Sequence, residues 1–496
     1  MRVYYWIIFL LYLAAMLYLG FVGMKRSKTA DDYFVAGRSF GLFVSALLFT
    51  ATFITAGTMV GYAGSAYNSG WFLMAQYCIG LLASMLTLQL FSRKFYNAKA
   101  TWYTTADYFS LRFEENKFMR TVFPGYLILN CMMYMMIGIM GIGTVLEVFL
   151  GIPYVWSIII VGAVFVLYTV FGGQFSVAWT NVVQCILLFG AMVITAIWGL
   201  HQAGGLAHVN EVIAQIDNGV MHSFTKNGQY PVTYQIGIWL NLMMSVPCLA
   251  YYQRVFFTLK SRRTARSLVG VSTILIGIVY FVVVLIGISG RVLIPDISNP
   301  DSVFPTMVTM MSPIFAGIAV AGIIAAIQSS IDGQLLAAGT MFTEDIYAKV
   351  IKKDATEADM KRTARIAIAI IGVIVIILGA AKISAMMSLY DFMVAMGATT
   401  VFPTMLLGLF WHRTTKQAAI FGICFGGIGG LLWYFFGIPS LPGSLVIVPI
   451  DIIIMVIISL NTKPNSREAL SYFFDMDKIE AKKAAKEVAG RVPEQA

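Results

Sequence analysis

Ala325-Ala326-Ile327-Gln328-Ser329-Ser330-Ile331-Asp332-Gly333-Gln334 places two amides, two adjacent hydroxyls and a carboxylate inside an otherwise apolar run. In a bilayer such groups are unfavourable unless they face a cavity or a partner. A hard cation seeks oxygen ligands. Hydroxyls and backbone carbonyls can supply these without a carboxylate, and Ser329 and Ser330 are suited to that use. Serines that bond back to their own helix would account for the pair equally well, but not for Asp332. That carboxylate lies one turn beyond Ser329, where it either guides an ion onward or pairs with a neighbour.

A second segment has related chemistry. Ser45-Ala46-Leu47-Leu48-Phe49-Thr50-Ala51-Thr52-Phe53-Ile54-Thr55-Ala56-Gly57-Thr58 is rich in Thr, Ala and Gly at its centre, and β-branched residues with Gly weaken helix continuity. One reading is a face of small residues for helix packing. The other is an interrupted helix whose freed carbonyls line a cavity, where ions and solutes bind.

The elements that hold these segments are set by composition. Of 496 residues 59% are hydrophobic and 12% charged, against about 25% charged in soluble domains. Apolar runs near the ~20 residues needed to cross a bilayer recur along the whole chain, which predicts an all-α integral membrane protein. Thirteen spans are expected, at about 4–24, 40–66, 71–92, 121–150, 153–171, 177–200, 232–257, 268–293, 305–341, 364–381, 385–411, 417–437 and 443–461. Residues 1–461 then form one transmembrane domain and 462–496 a polar cytoplasmic tail. With the N-terminus outside, only Arg2, Lys226, Arg291 and Lys382 of the 34 Lys and Arg residues stay outside. The other 30 face the cytoplasm, as the positive-inside rule requires. The first run leads into Lys25, Arg26 and Lys28 with no A-x-A-like cleavage site, so it reads as a retained helix.

Several function classes fall away. The net charge of +10 is spread over short inner loops, which argues against nucleic acid. Cys78, Cys131, Cys185, Cys248 and Cys424 lie in apolar runs without CxxC spacing and read as core residues. His201, His208 and His222 of the longest outer loop, 201–231, lack nearby Cys or carboxylate clusters, so no metal other than a coupling ion is expected. A channel would need a pore-lining charge ring, and a membrane enzyme would need clustered His, Asp or Glu in the spans. Neither pattern is present. A transporter without a cofactor remains.

The chain resembles the sodium:solute symporter family. The resemblance rests on Asp31-Asp32-Tyr33-Phe34 with Gly37-Arg38-Ser39, and on Leu167-Tyr168-Thr169-Val170-Phe171-Gly172-Gly173 followed by Trp179-Thr180-Asn181-Val182-Val183-Gln184. Ala325 to Ser330 followed by Thr343-Glu344-Asp345-Ile346-Tyr347 completes the set, which covers nearly the whole chain. The resemblance implies a leucine-transporter-type fold, an inverted repeat of five plus five helices over about 40–200 and 232–411, with one helix before and two after (417–461). It also implies a sodium site made by the carbonyls of Ala51, Ile54 and Ala326 and the hydroxyls of Ser329 and Ser330. Members usually carry Asp where this chain has Asn181, and Ala326 offers no side-chain oxygen. One sodium per solute is therefore expected.

The resemblance points to a small carboxylate such as pantothenate as the solute, with proline, a monocarboxylate or a sugar as alternatives. Members that carry proline have Asp where this chain has Phe53, which weakens that alternative. The expected solute contacts are Thr55, Ala56, Gln76, Asn130, Tyr134, Asn241 and Ser245. Tyr134 and Asn241 match solute-facing positions of the family, and Gln76 is an amide in need of a partner. Interhelical hydrogen bonding would explain each of them as well. No Lys or Arg is expected at mid-membrane depth, so helix N-termini would hold an anion. Asp391, near the outer end of the eleventh span, is a candidate gate. Proton coupling through Asp332 or Asp391 is the rival to sodium. Action as a monomer in a bacterial inner membrane completes the expectation.

Overall fold

The helix that carries Gln328 to Gln334, α14 (Pro313–Met341), is the axis of the molecule. Every residue from Ala319 to Met341 is buried, the polar Gln328, Asp332 and Gln334 along with the small and apolar ones. Around it pack α1 (Arg2–Arg26), α3 (Leu42–Phe53), α7 (Lys117–Leu150), α8 (Tyr154–Gln202) and α15 (Glu357–Ala380). Close approach depends on Gly322, where a Cβ would lie 2.2 Å from that of Ala191 and 2.6 Å from the Leu187 carbonyl oxygen. The computed structural model describes residues 2–477 and 479, apart from 56, 98–101, 217–230, 382–385 and 438–440.

Among the described residues the regular structure is helical, and ten helices are long and apolar enough to cross a membrane, or twelve when two bent pairs are each taken as one. The chain is an all-α, multi-pass membrane protein. The first bent pair is the expected second span. Here α3 stops at Phe53, Ile54 is extended (φ −90°, ψ 120°), and α4 (Gly57–Ser69) departs at 62°.

The second bent pair was not expected. The run 232–257 divides into α10 (Val232–Cys248) and α11 (Ala250–Phe257), which meet at 48° with Leu249 extended. Pro247, which has no N–H to give to a helix, is the local cause. The expected ninth span 305–341 also divides, into α13 (Val303–Thr309) and α14. Pro313 suits a first helical turn and pushes Ser312 into an extended conformation (ψ 150°). Beyond Met341 the helix continues with wider turns over Phe342–Ile351.

Residues 172–176, expected as a tight loop, lie within the helical path of α8, interrupted by Gly173 at φ 58°, ψ −147°. A Cβ there would lie 2.7 Å from the Tyr33 carbonyl oxygen. Tyr33 sits in α2 (Ala30–Val35), whose capping box pairs Thr29 with Asp32, and its hydroxyl donates to the Val170 carbonyl at 2.8 Å. The Asp31-Asp32-Tyr33 and Gly172-Gly173 motifs thus meet in space.

Two segments expected to be plain connections are packed. Within 201–231, α9 (Gly205–Gln215) buries Val209 and Ile213. The start of the tail stacks Phe473 on Trp102 at 5.7 Å, and Asn465 donates to the Arg112 carbonyl.

Candidate ion and solute site

In an unbroken helix the carbonyls of Ala51 and Ile54 would accept from the N–H groups four residues on, at Thr55 and Thr58. The break redirects one of these donors, since the Thr58 N–H bonds to the Thr55 hydroxyl oxygen at 3.2 Å. The carbonyls so freed face α14. Ser329 Oγ donates to the Ala51 carbonyl and lies equally close, 2.9 Å, to that of Ala326. Ser330 Oγ is 2.8 Å from the Ile54 carbonyl and 3.2 Å from that of Ala326.

Three carbonyls and two hydroxyls therefore converge, all on buried residues and none with a formal charge. A hydroxyl has one proton to donate but two lone pairs. Each of the two hydroxyls lies within hydrogen-bond distance of two of the three carbonyls. Such a set matches a hard monovalent cation, and these are the five groups expected from the sequence.

Beside the cluster, Asn181 of α8 points Nδ2 at Thr52 Oγ1 (3.4 Å) and at the Ser329 carbonyl (3.5 Å), while its Oδ1 has no hydrogen-bond partner. One turn along α14, the wholly buried Asp332 accepts a hydrogen bond from Tyr168 through one oxygen and leaves Oδ1 unpartnered. Above it the Tyr12 hydroxyl donates to Gln328 Oε1 at 2.5 Å and accepts from Gln184 Nε2 at 3.0 Å.

Arg254 is a buried cation on the flank of α14. Assigned from sequence to an inner loop, it lies in α11, is 5% exposed, and donates to the Gly333 carbonyl at 3.0 Å and to Gln174.

Next to the oxygen cluster lies a narrow cavity partly open to solvent. It is lined by Phe53, Thr55, Gly57, Thr58, Tyr62, Leu81, Tyr134, Val246, Leu249, Tyr251, Tyr252, Tyr280 and Tyr390, with no charged side chain among them. Of the expected solute contacts Thr55 and Tyr134 line it, and Ala56 lies outside the described residues.

The others stand apart from the lining. Asn130 donates to the Met393 carbonyl of α16 (Met386–Phe410) at 3.5 Å. Asn241 accepts from Ser444 of α18 (Ser444–Asn461) at 2.7 Å. Ser245 bonds back to the Asn241 carbonyl at 2.9 Å. Gln76 is half-buried, and Asp391 is exposed beside the lining residue Tyr390. Sequence reasoning missed the Tyr251-Tyr252 pair, although Pro247 just before it marks a break of the kind that borders transport sites. Among the described residues no group of three or more His, Cys, Asp or Glu could hold a metal.

The chain is similar to known proteins over most of its length. Residues 33–426 match the sequence profile of the sodium:solute symporter family. The osmoregulated proline transporter of Bacillus subtilis (strain 168) is 25% identical over 480 residues, which cover 95% of this chain and 97% of the relative. The sodium/pantothenate symporter of Escherichia coli (strain K12) is 28% identical, over 84% of this chain and 88% of the relative. Among solved structures, a Na+-coupled sialic acid symporter in a substrate-bound outward-open state superposes with a TM-score of 0.81 at 23% identity, covering 93% of this chain and 98% of that one.

Proposed function

The chain belongs to the sodium:solute symporter family, and from that membership we infer that it is a sodium-coupled symporter of a small organic carboxylate, one sodium per solute. The observation that carries this reading is the meeting of the Ala51, Ile54 and Ala326 carbonyls with the Ser329 and Ser330 hydroxyls. Sodium bound there exchanges hydroxyl–carbonyl hydrogen bonds for five ion–oxygen contacts and ties α3 to α14. Phe53 and Thr55, which flank Ile54 in the chain, line the cavity. A filled ion site therefore fixes the cavity wall, and the solute binds a wall already ordered. By linkage the solute then raises sodium affinity by the same factor. An ion that moves inward across 100 mV gains about 2.3 kcal/mol.

Thirteen spans fit the same account. At about 1.5 Å per residue the 49 residues of α8 would extend well beyond a hydrocarbon core of about 30 Å. Counting α8 as two spans parted at Gly173, with each bent pair as one, gives thirteen. The bent spans then stand second and seventh, five apart, which supports the five-plus-five inverted repeat. The N-terminus faces outward and the tail the cytoplasm, as the Lys and Arg distribution supports. The protein acts as a monomer in a bacterial inner membrane.

Pantothenate and proline, carried by relatives of similar identity, are both candidates for the solute, and no cation in the cavity lining singles out either. A second reading, proton coupling, has one observation in its favour, the unpartnered Oδ1 of Asp332. The test is uptake of labelled pantothenate and proline into proteoliposomes under an imposed sodium gradient or an imposed proton gradient. Accumulation driven by sodium alone supports symport as stated. Accumulation driven by protons alone replaces it with the second reading.

A further inference from the structure

We propose that Arg254 and Asp332 form an ion pair in the empty carrier, which takes the place of the departed sodium and lets the carrier return without it. This rests on the symport reading above and adds two residues to its cycle. Both side chains are buried, and each has an unused group. Asp332 accepts from Tyr168 through one oxygen, and its Oδ1 has no hydrogen-bond partner. Arg254 donates to the Gly333 carbonyl and to Gln174, its Nε has no partner, and no ion pair joins it to a carboxylate among the described residues. A buried charge without a counter-charge is unfavourable. Here two of opposite sign stand on neighbouring points of one helix, since the carbonyl that holds Arg254 belongs to the residue after Asp332. Both also reach α8, on either side of Gly173, at Tyr168 and Gln174.

The joint that keeps them apart is one that transport must move. Arg254 rides on α11, the short arm of the second bent span beyond the extended Leu249. That arm is tied to the start of the first bent span. The Phe40 N–H donates to the Thr258 carbonyl and the Lys260 N–H to the Phe40 carbonyl, both at 3.1 Å, while Arg38 donates to the Phe257 carbonyl at 3.0 Å. Phe40 lies two residues before α3, which carries the Ala51 carbonyl and ends at Ile54. A shift of this joined unit against α14 therefore takes two carbonyls from the ion and the Gly333 carbonyl from Arg254 in one movement. Asp332 stands one turn from Ser329, and an ionised carboxylate so placed would hold a leaving cation by attraction in a low dielectric. A guanidinium on a long side chain, freed at the same moment, displaces that cation and makes a charge-assisted pair with the carboxylate. A role for Arg254 as a tie between α11 and α14 alone leaves Asp332 Oδ1 unaccounted for.

Net uptake requires the empty carrier to return, whereas exchange of labelled for unlabelled solute with saturating sodium on both sides does not. Both are measured in proteoliposomes with labelled pantothenate and labelled proline. Arg254→Gln should lose about tenfold in net uptake yet keep exchange within about threefold, because the carboxylate is left alone only in the empty carrier. Asp332→Asn, which keeps the shape, should lower the ratio of net uptake to exchange by about threefold or more. The double variant should regain a ratio above that of Arg254→Gln, since neither charge then lacks its partner. If Arg254→Gln does not fold, Arg254→Lys and Asp332→Asn still decide, the first keeping the native ratio because it keeps the charge and the second losing it. Equal loss of net uptake and exchange in Arg254→Gln, a native ratio in Asp332→Asn, or a double variant no better than Arg254→Gln would overturn the proposal and leave symport standing. Net uptake and exchange that both ignore sodium in the native chain would instead remove the symport reading beneath it.

Discussion

Ser330 and Ile54, 276 positions apart in the chain, are joined by one hydrogen bond in which the serine hydroxyl donates to the isoleucine carbonyl across 2.8 Å. That carbonyl is free because the helix it belongs to has stopped. The hydroxyl is in place because α14 runs past it without a break. An interrupted element and a continuous one thus define a point that two continuous helices could not, since their carbonyls would be taken.

The same logic makes Asp332 informative. If sodium is the coupling ion, Asp332→Asn should keep sodium-dependent uptake, with the sodium concentration for half-maximal rate changed by no more than about threefold. The amide replaces a carboxylate whose Oδ1 is already unpartnered, and Tyr168 can still donate to it. Loss of all sodium dependence in this variant would shift the coupling role to the carboxyl.

Gly173 is expected to tolerate no side chain. Its φ of 58° with ψ of −147° belongs to a region open almost only to glycine, worth about 1–3 kcal/mol to any other residue. The Tyr33 carbonyl would in addition be 2.7 Å from the new Cβ. Gly173→Ala should therefore lower the melting temperature of the purified protein and its yield in the membrane. An unchanged melting temperature would show that α2 and α8 do not meet in this way.

Arg120 ties three segments together. It donates to Asp107 of α6 (Thr105–Arg112) at 2.8 Å, to Asp345 in the extension of α14 at 2.9 Å, and to Glu115 at 2.7 Å. Asp345 is wholly buried and also accepts from Thr104 at 2.6 Å. Breaking a buried pair on one side typically destabilises by about 3–5 kcal/mol. Arg120→Ala should therefore lower the melting temperature strongly and Arg120→Lys much less. Equal melting temperatures for the two variants would contradict the assignment.

Much of this was legible in the sequence, for definable reasons. A carboxylate and two serines in an apolar run stand out because polar groups are expensive in lipid, so Ser329, Ser330 and Asp332 announced themselves. The break after Phe53 was one of two readings of a cluster of Thr, Ala and Gly, the other being a packing face of small residues, and the structure has the break. The break at Leu249 was not foreseen, because the run from Val232 reads as one span into its polar end at Gln253 and Arg254, and Pro247 alone marks it. The Tyr251-Tyr252 pair, which supplies part of the cavity wall, carries no signal of its own in the sequence. Asn241 was expected at the solute from the family resemblance, and Asn130 and Ser245 as polar groups near the same depth. The structure engages them in bonds to the Met393 carbonyl, to Ser444 and to their own helix, and sequence alone cannot separate those uses. Arg254 was placed in a loop by its charge, although Gln174 and the Gly333 carbonyl accept its hydrogen bonds inside the bundle.

The most direct measurement is a sodium titration of solute uptake in proteoliposomes for the native chain, Ser329→Ala, Ser330→Ala and the double variant. Each lost hydroxyl removes one of five oxygens. The half-saturating sodium concentration should rise about tenfold for either single variant and beyond reach for the double one, with uptake at saturating sodium recovering in the single variants. A double variant that titrates with sodium like the native chain would contradict the ion site, and with it the coupling built on it.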